Sequence, residues 1–201
     1  QTNLKRLLAF STIAQMGFVL IGMLAGVNNG NTLSAANAYS SAMFYMISYV
    51  LTTLGVFGVI LLLAREGFES EEISDLAGLN QRSPLFAGVM AVCLFSLAGA
   101  PPLVGFFAKL SVLQALIASD QISSLVLAVF AVMMSLVGAF YYLRIIKVMY
   151  FDPPLTASTV SADSHVKIVL AINGGLVLVL GLLPGGLMSL CAVAVVKALG
   201  T

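Results

Sequence analysis

A single lysine carries the strongest chemical signal in this sequence. Lys109 lies inside the apolar run Leu103-Val104-Gly105-Phe106-Phe107-Ala108-Lys109-Leu110, seven residues after the double proline Pro101-Pro102. Seven residues of helix reach about 10 Å, a third of the way into a hydrocarbon core about 30 Å thick. A lysine at the centre of a membrane helix costs on the order of 3 kcal/mol. One reading is a stem that snorkels outward to the interface. The other is chemistry. Desolvation disfavours the charged form of a lysine, so one kept in an apolar setting can release and regain a proton when a neighbouring charge moves. Crowding by Phe106, Phe107 and Leu110 favours the second reading.

Hydroxyls supply the rest of the candidate chemistry. Ser41, Tyr45, Ser48 and Thr52 recur at i, i+4, i+7 and i+11, with Tyr49 beside them, so one face of a helix is hydroxyl-lined. Ser11, Thr12 and Gln15 form a smaller patch, in which Gln15 cannot titrate and relays only through water. Such groups can pass protons, or they can hold helices together by interhelical hydrogen bonds. Both readings stand.

Other chemistries find no support. Cys93 and Cys191 lie in apolar runs without a CxxC or a Cys/His cluster, and read as packing residues. His165, the single histidine, stands beside Asp163 and Lys167 and reads as a surface or capping residue. No GxGxxG or GxxxxGK[ST] motif offers a phosphate cradle. The net charge of +1, with scattered Lys and Arg, excludes a nucleic-acid surface. Gly22/Gly26 and Gly55/Gly58 read as close helix packing.

The elements that must position these residues follow from composition. Hydrophobic residues make up 60% of the 201 and charged residues 8%, against roughly 25% charged in soluble domains, and mean hydropathy is +1.08. A bilayer is therefore the expected solvent. Apolar runs predict membrane helices over about 7–27, 42–64, 84–100, 102–118, 124–149 and 166–183. A polar loop covers 65–83, with a short surface helix from near Ser70, and a turn falls at Asn28-Asn29-Gly30-Asn31. Pro101-Pro102 marks either a tight hairpin or a discontinuous helix. Leu187 to Leu199 is either a short interfacial helix or a crooked continuation of the last span. Without the alternation of barrel strands, the expected class is an all-α integral membrane bundle in one domain over 1–201. Basic residues flank the spans on both sides, so the positive-inside rule does not orient it. Lys5-Arg6 reads as an interfacial anchor. The opening residues lack a signal-peptide pattern and predict a piece of a longer chain.

Two stretches carry a family resemblance. Leu4-Lys5-Arg6-Leu7-Leu8-Ala9-Phe10-Ser11-Thr12-Ile13-Ala14-Gln15-Met16-Gly17 and Ser96-Leu97-Ala98-Gly99-Ala100-Pro101-Pro102-Leu103-Val104-Gly105-Phe106-Phe107-Ala108-Lys109, strengthened by Tyr141-Tyr142-Leu143-Arg144, resemble the antiporter-like subunits of proton-pumping NADH:quinone oxidoreductase, respiratory complex I. These subunits are in turn similar to Mrp-type cation/proton antiporters. L- and M-type subunits tend to carry histidine where this chain has Tyr45 and Tyr49, and the L type a lysine at Thr53. Run Tyr49 to Gly58 and the closing Tyr-Tyr-Leu-Arg instead resemble the bacterial N type.

The resemblance implies one inverted repeat plus a terminal helix, with a discontinuous helix at Pro101-Pro102. It implies that Lys109 and Lys5 transfer protons, with Ser41, Tyr45, Ser48, Tyr49, Thr52 and Gln15 as a possible path. Lys5 then becomes a relay lysine, not a plain anchor. NADH, FMN, iron–sulfur clusters and quinone are expected in partner subunits, with no cofactor in this chain. Other membrane subunits of the complex and the lipid bilayer are the expected partners, in a bacterial inner membrane, with no nucleic acid. The companion repeat, with its own membrane glutamate and lysine, is missing here, so the isolated piece is expected not to pump. An Mrp-type antiporter subunit and a structural membrane scaffold are the alternatives.

Overall fold

The computed structural model describes residues 1–27, 34–64, 71–118, 121–155 and 162–200. Among them, regular structure is helical, and four helices are long and apolar enough to cross a membrane. The Asn28–Asn31 turn and the 65–70 part of the polar loop, Ser70 included, lie outside the described residues.

Helix α1 runs Leu4–Leu24 because the Asn3 side chain accepts the Arg6 N–H at 2.8 Å and so caps it. Lys5 and Arg6 therefore fall in its first turn, not ahead of it as the apolar run suggested. Helix α2, Ala35–Leu63, begins earlier than the apolar run does. Ala35-Ala36-Asn37-Ala38 is helical but too mildly apolar for hydropathy to include. At the membrane surface, residues 71–73 pair antiparallel with 2–4: Leu4 N–H donates to Glu71 O at 2.6 Å and Ile73 N–H to Thr2 O at 2.9 Å. A 3₁₀ turn, Ile73–Leu76, and a single helical turn α3, Leu79–Arg82, follow.

The double proline breaks a single crossing in two. Helix α4, Pro84–Ala98, starts at the surface beside α3, and α5, Val104–Ile117, ends where Leu116 shares a cavity with Leu24 and Ala25 at the far end of α1. At 1.5 Å per residue each half is about 22 Å long or less, too short to span alone. The discontinuous helix, not the hairpin, is the outcome. Gly99 makes the break possible with φ of +87°, a left-handed cap that donates to Phe95 O and Ser96 O. The Pro101–Pro102 bond is cis.

Helix α6, Ile122–Phe151, returns to the first surface, where Val148 O accepts the Gly78 N–H. Helix α7, Ser164–Leu182, crosses back against α2 and α4. Asn173 Nδ2 donates to Leu51 O at 3.0 Å. Pro184 kinks the chain into α8, Pro184–Leu199, whose Met188, Ser189 and Ala192 face Asn37, Ser40, Ser41 and Phe44 of α2 across a cavity. The last segment is thus the crooked continuation. Phe44, Phe86, Met90, Leu94 and Ile145 fill the interior, while Phe130, Met133, Leu136 and Val137 of α6 point outward. In water that apolar belt would be a liability; in lipid it is the solvent-facing surface.

Candidate functional site

The break in the α4–α5 crossing makes the site. In a continuous helix the N–H groups of residues 101 and 102 would bond the carbonyls of Leu97 and Ala98. Both residues are proline and have no N–H. The Lys109 ammonium takes their place: Nζ donates to Leu97 O and to Ala98 O, each at 3.0 Å. Its third proton goes to Ser135 Oγ on α6 at 2.7 Å. An ammonium has three donors, and here all three are used. The Phe18 ring of α1 lies 5.5 Å from Nζ, at cation–π range. The carbonyl end of α4 also contributes the negative pole of its helix dipole. Among the described residues no carboxylate touches Nζ. The charge is held by neutral acceptors.

Gly105 lets the halves meet this closely. Its N–H donates to Ser96 Oγ at 3.1 Å, and a Cβ there would stand 2.7 Å from the Ser96 carbonyl carbon.

Around Lys109 the structure assembles most of the hydroxyl face read from the sequence. Gln15, Tyr45, Ser48, Tyr49 and Thr52 line one cavity with Lys109, Ser96 and Leu97. Its open space for a water centre is about 10 Å³, the room of roughly one water. Gln15 is the hub. Its Nε2 donates to Leu97 O at 3.2 Å and to Tyr142 Oη at 3.1 Å, and its Oε1 accepts from the Tyr45 hydroxyl. Leu97 O therefore joins Lys109 to Gln15 directly. Tyr142 also bonds Ser11, and Tyr49 donates to Thr12 Oγ1 at 2.7 Å. Phe18 and Tyr45 stack at 5.5 Å.

Two predicted residues stand elsewhere. Ser41 donates to Asn37 O at 2.8 Å and lines the separate α2/α8 cavity of about 260 Å³. Lys5 makes an ion pair with Glu71 at 3.2 Å, both about half exposed. Phe18 is thirteen residues further along α1, about 20 Å at 1.5 Å per residue. Direct exchange between Lys5 and Lys109 is excluded by that distance; Ser11 and Gln15 stand in the gap.

The hydroxyls of α2 divide into two kinds. Ser48 donates to Phe44 O and Thr52 to Ser48 O, each at 2.7 Å within the helix. Tyr45 and Tyr49 reach across to α1. Sequence reasoning missed Ser135, and Tyr142 was noticed only within a motif. One signal could have found them: Ala128, Ala131, Ser135 and Gly138 recur at i, i+3, i+7 and i+10, a small-residue stripe that leads to Tyr142 at i+14.

Residues 1–135 match the family model described as NADH:quinone oxidoreductase/Mrp antiporter, TM. The chain belongs to this family. A relative named NADH-quinone oxidoreductase subunit N, from Polaromonas naphthalenivorans (strain CJ2), is 71% identical over 194 residues, covering 96% of this chain and 39% of the relative. A chain in the structure of respiratory complex I from Thermus thermophilus with bound aureothin superposes with a TM-score of 0.73 at 29% identity, over 94% of this chain and 40% of that one. A chain of the Mrp complex from Dietzia sp. DQ12-45-1b gives 0.79 at 20% identity, over 98% of this chain and 43% of that one, which is a likeness of fold alone. The chain spans about 40% of the length of the curated relatives it matches.

Proposed function

We propose that this chain is the lysine-bearing half-channel of an N-type subunit of bacterial NADH:quinone oxidoreductase, coupling electron transfer from NADH to quinone to proton transport across the cell membrane. The observation that carries this reading is the docking of Lys109 on the carbonyls freed by the double proline, beside a cavity holding five of the predicted polar residues. A scaffold needs no ammonium at that depth, and lipid-facing packing could use a methionine there.

In this reading Lys109 is the proton-loading group. Gln15 and the tyrosines hold the path toward Lys5, and water completes it. The redox cofactors and quinone belong to partner subunits, and the companion repeat comes from the rest of the subunit. High identity to a relative named subunit N favours this over the Mrp alternative. Moving one charge against 100 mV takes about 2.3 kcal/mol. Quinone reduction elsewhere in the complex has to deliver that.

The test is Lys109→Met in the full-length subunit within its assembled complex, reconstituted in proteoliposomes. NADH-driven proton uptake per NADH oxidised should fall while assembly holds. Unchanged proton uptake with normal assembly sinks the role; loss of assembly alone, with Lys109→Arg restoring it but not proton uptake, still supports it over a scaffold.

A further inference from the structure

Among the described residues four groups surround the Lys109 ammonium, and they are not chemically equivalent. The Leu97 and Ala98 carbonyl oxygens can only accept a hydrogen bond. The Phe18 ring offers a π face and carries no exchangeable proton. The Ser135 hydroxyl, 2.7 Å from Nζ, both accepts and donates. A neutral amine has a lone pair that needs a donor. Of the four, only Ser135 can serve the lysine in both protonation states.

We propose that Ser135 is the proton-transfer contact of Lys109, passing its proton along the inward face of α6. The inference rests on the proposed function above and names an exit which that reading leaves open. The step balances as a proton relay. An Nζ–H bond breaks and an O–H bond forms at Ser135 Oγ, while the serine's own hydroxyl proton leaves to a water molecule that becomes hydronium, so Ser135 ends neutral and Lys109 ends as the amine. No electron moves.

The surroundings give this exit a direction. Seven residues on, about 10 Å along the same face of α6, the Tyr142 hydroxyl is buried against Ser11 and Gln15. One or two waters would bridge that gap. Gly138, which has no side chain, lies between Ser135 and Tyr142 on the same stripe, and even a Cβ there would meet no atom within 4 Å. The hydroxyls of Ser48 and Thr52, by contrast, are directed at carbonyls of their own helix. Neither hydroxyl is hydrogen-bonded to Nζ, whereas Ser135 Oγ already accepts the Nζ–H.

The decisive pair is Ser135→Thr and Ser135→Val, nearly equal in size and differing in the hydroxyl. Each is placed in the full-length subunit, assembled in the complex and reconstituted in proteoliposomes beside Lys109→Met. The readouts are proton uptake per NADH oxidised and uncoupled NADH oxidation. Ser135→Val should lower proton uptake about tenfold or more, in line with losing a proton-transfer partner, with uncoupled oxidation unchanged, and Ser135→Thr should restore most of it. If Lys109→Met abolishes uptake while Ser135→Val leaves it intact, the exit is wrong and the lysine reading survives. If both Thr and Val lose uptake equally in assembled complexes, the position serves packing and the inference falls. If Lys109→Met also leaves uptake unchanged, the functional reading itself has failed.

Discussion

Adding one methyl group at Gly105 should move Lys109 without touching it. A Cβ at this position would overlap the Ser96 carbonyl oxygen outright and lie 2.7 Å from its carbon, where ordinary contact begins at 3.4 Å, so the two half-helices must part by about 1 Å or more. The obstacle is main chain, which cannot rotate aside as a side chain does. Overpacking of this kind costs about 1–3 kcal/mol. Tearing Lys109 from both carbonyls would cost more, since a hydrogen bond to a charged group contributes about 1.5–3 kcal/mol. The cheaper response wins: the helices separate and the lysine stem stretches to follow. Lys109 is one turn after Gly105 on the same face, so its ammonium shifts against Ser135 and Gln15. Misplacement by about 1 Å can cost about a hundredfold in a positioned reaction, so a shift of this size should slow proton transfer by about a hundredfold. The assay is NADH-driven proton uptake by proteoliposomes holding the complex with Gly105→Ala, with heat inactivation in detergent as the stability readout. Gly88→Ala is the control, because a Cβ there meets no atom within 4 Å. Gly105→Ala with the transport and heat stability of the parent would refute the reasoning.

Gln15→Leu leaves the buried Tyr45 hydroxyl without its acceptor, a loss of about 1–3 kcal/mol that should appear as earlier heat inactivation of the complex. Gly99→Ala forces a Cβ into a left-handed turn and to 3.0 Å from Lys109 Cδ; about 1–2 kcal/mol from the backbone alone should show in the same assay. Gly55→Ala should be destabilising through contact with Asn173 and Cys93. Combined with Asn173→Ala it should cost less than the sum, with a coupling of about 0.5–3 kcal/mol in a double-mutant cycle. Glu71→Gln removes an exposed ion pair and should change stability by under about 1 kcal/mol, an effect that shrinks further in high salt.

The parts of this site that local chemistry dictates were readable in advance. Two prolines remove two N–H groups, and a lysine seven residues on is the nearest cation able to answer for them. The i, i+4, i+7, i+11 hydroxyl pattern placed Tyr45, Ser48 and Thr52 on one face, and four of the five α2 hydroxyls named do meet Lys109's cavity. Ser41 does not, because α8 packs over that end of α2, and nothing in α2 itself signals a helix 140 residues away. Ser135 stayed hidden for a related reason. Helix α6 is apolar on most sides, so hydropathy names no inward face; packing against α4 and α5 selects one, and in the sequence only the small-residue stripe marks it. The start of α1 shifted because a cap residue, Asn3, outweighs the apolar run in deciding where a helix starts.

What holds Lys109 matters as much as where it is. A carboxylate 4 Å away would attract the ammonium by about 4 kcal/mol at an effective dielectric of 20. That exceeds the roughly 2.3 kcal/mol needed to move a charge against 100 mV. An ion pair of that strength, fixed in place, would resist every release of the proton it holds. The acceptors found here are a hydroxyl of α6 and two carbonyls at the C-terminus of α4, whose dipole contributes about 0.3–2 kcal/mol. Neutral acceptors satisfy the ammonium's geometry without a fixed opposite charge that would be left unpaired each time the proton leaves. Under the proposed function, a charge brought close or withdrawn in the companion repeat then decides the lysine's proton occupancy. The double proline supplies this balance, since it offers carbonyls at membrane depth that no backbone donor can claim.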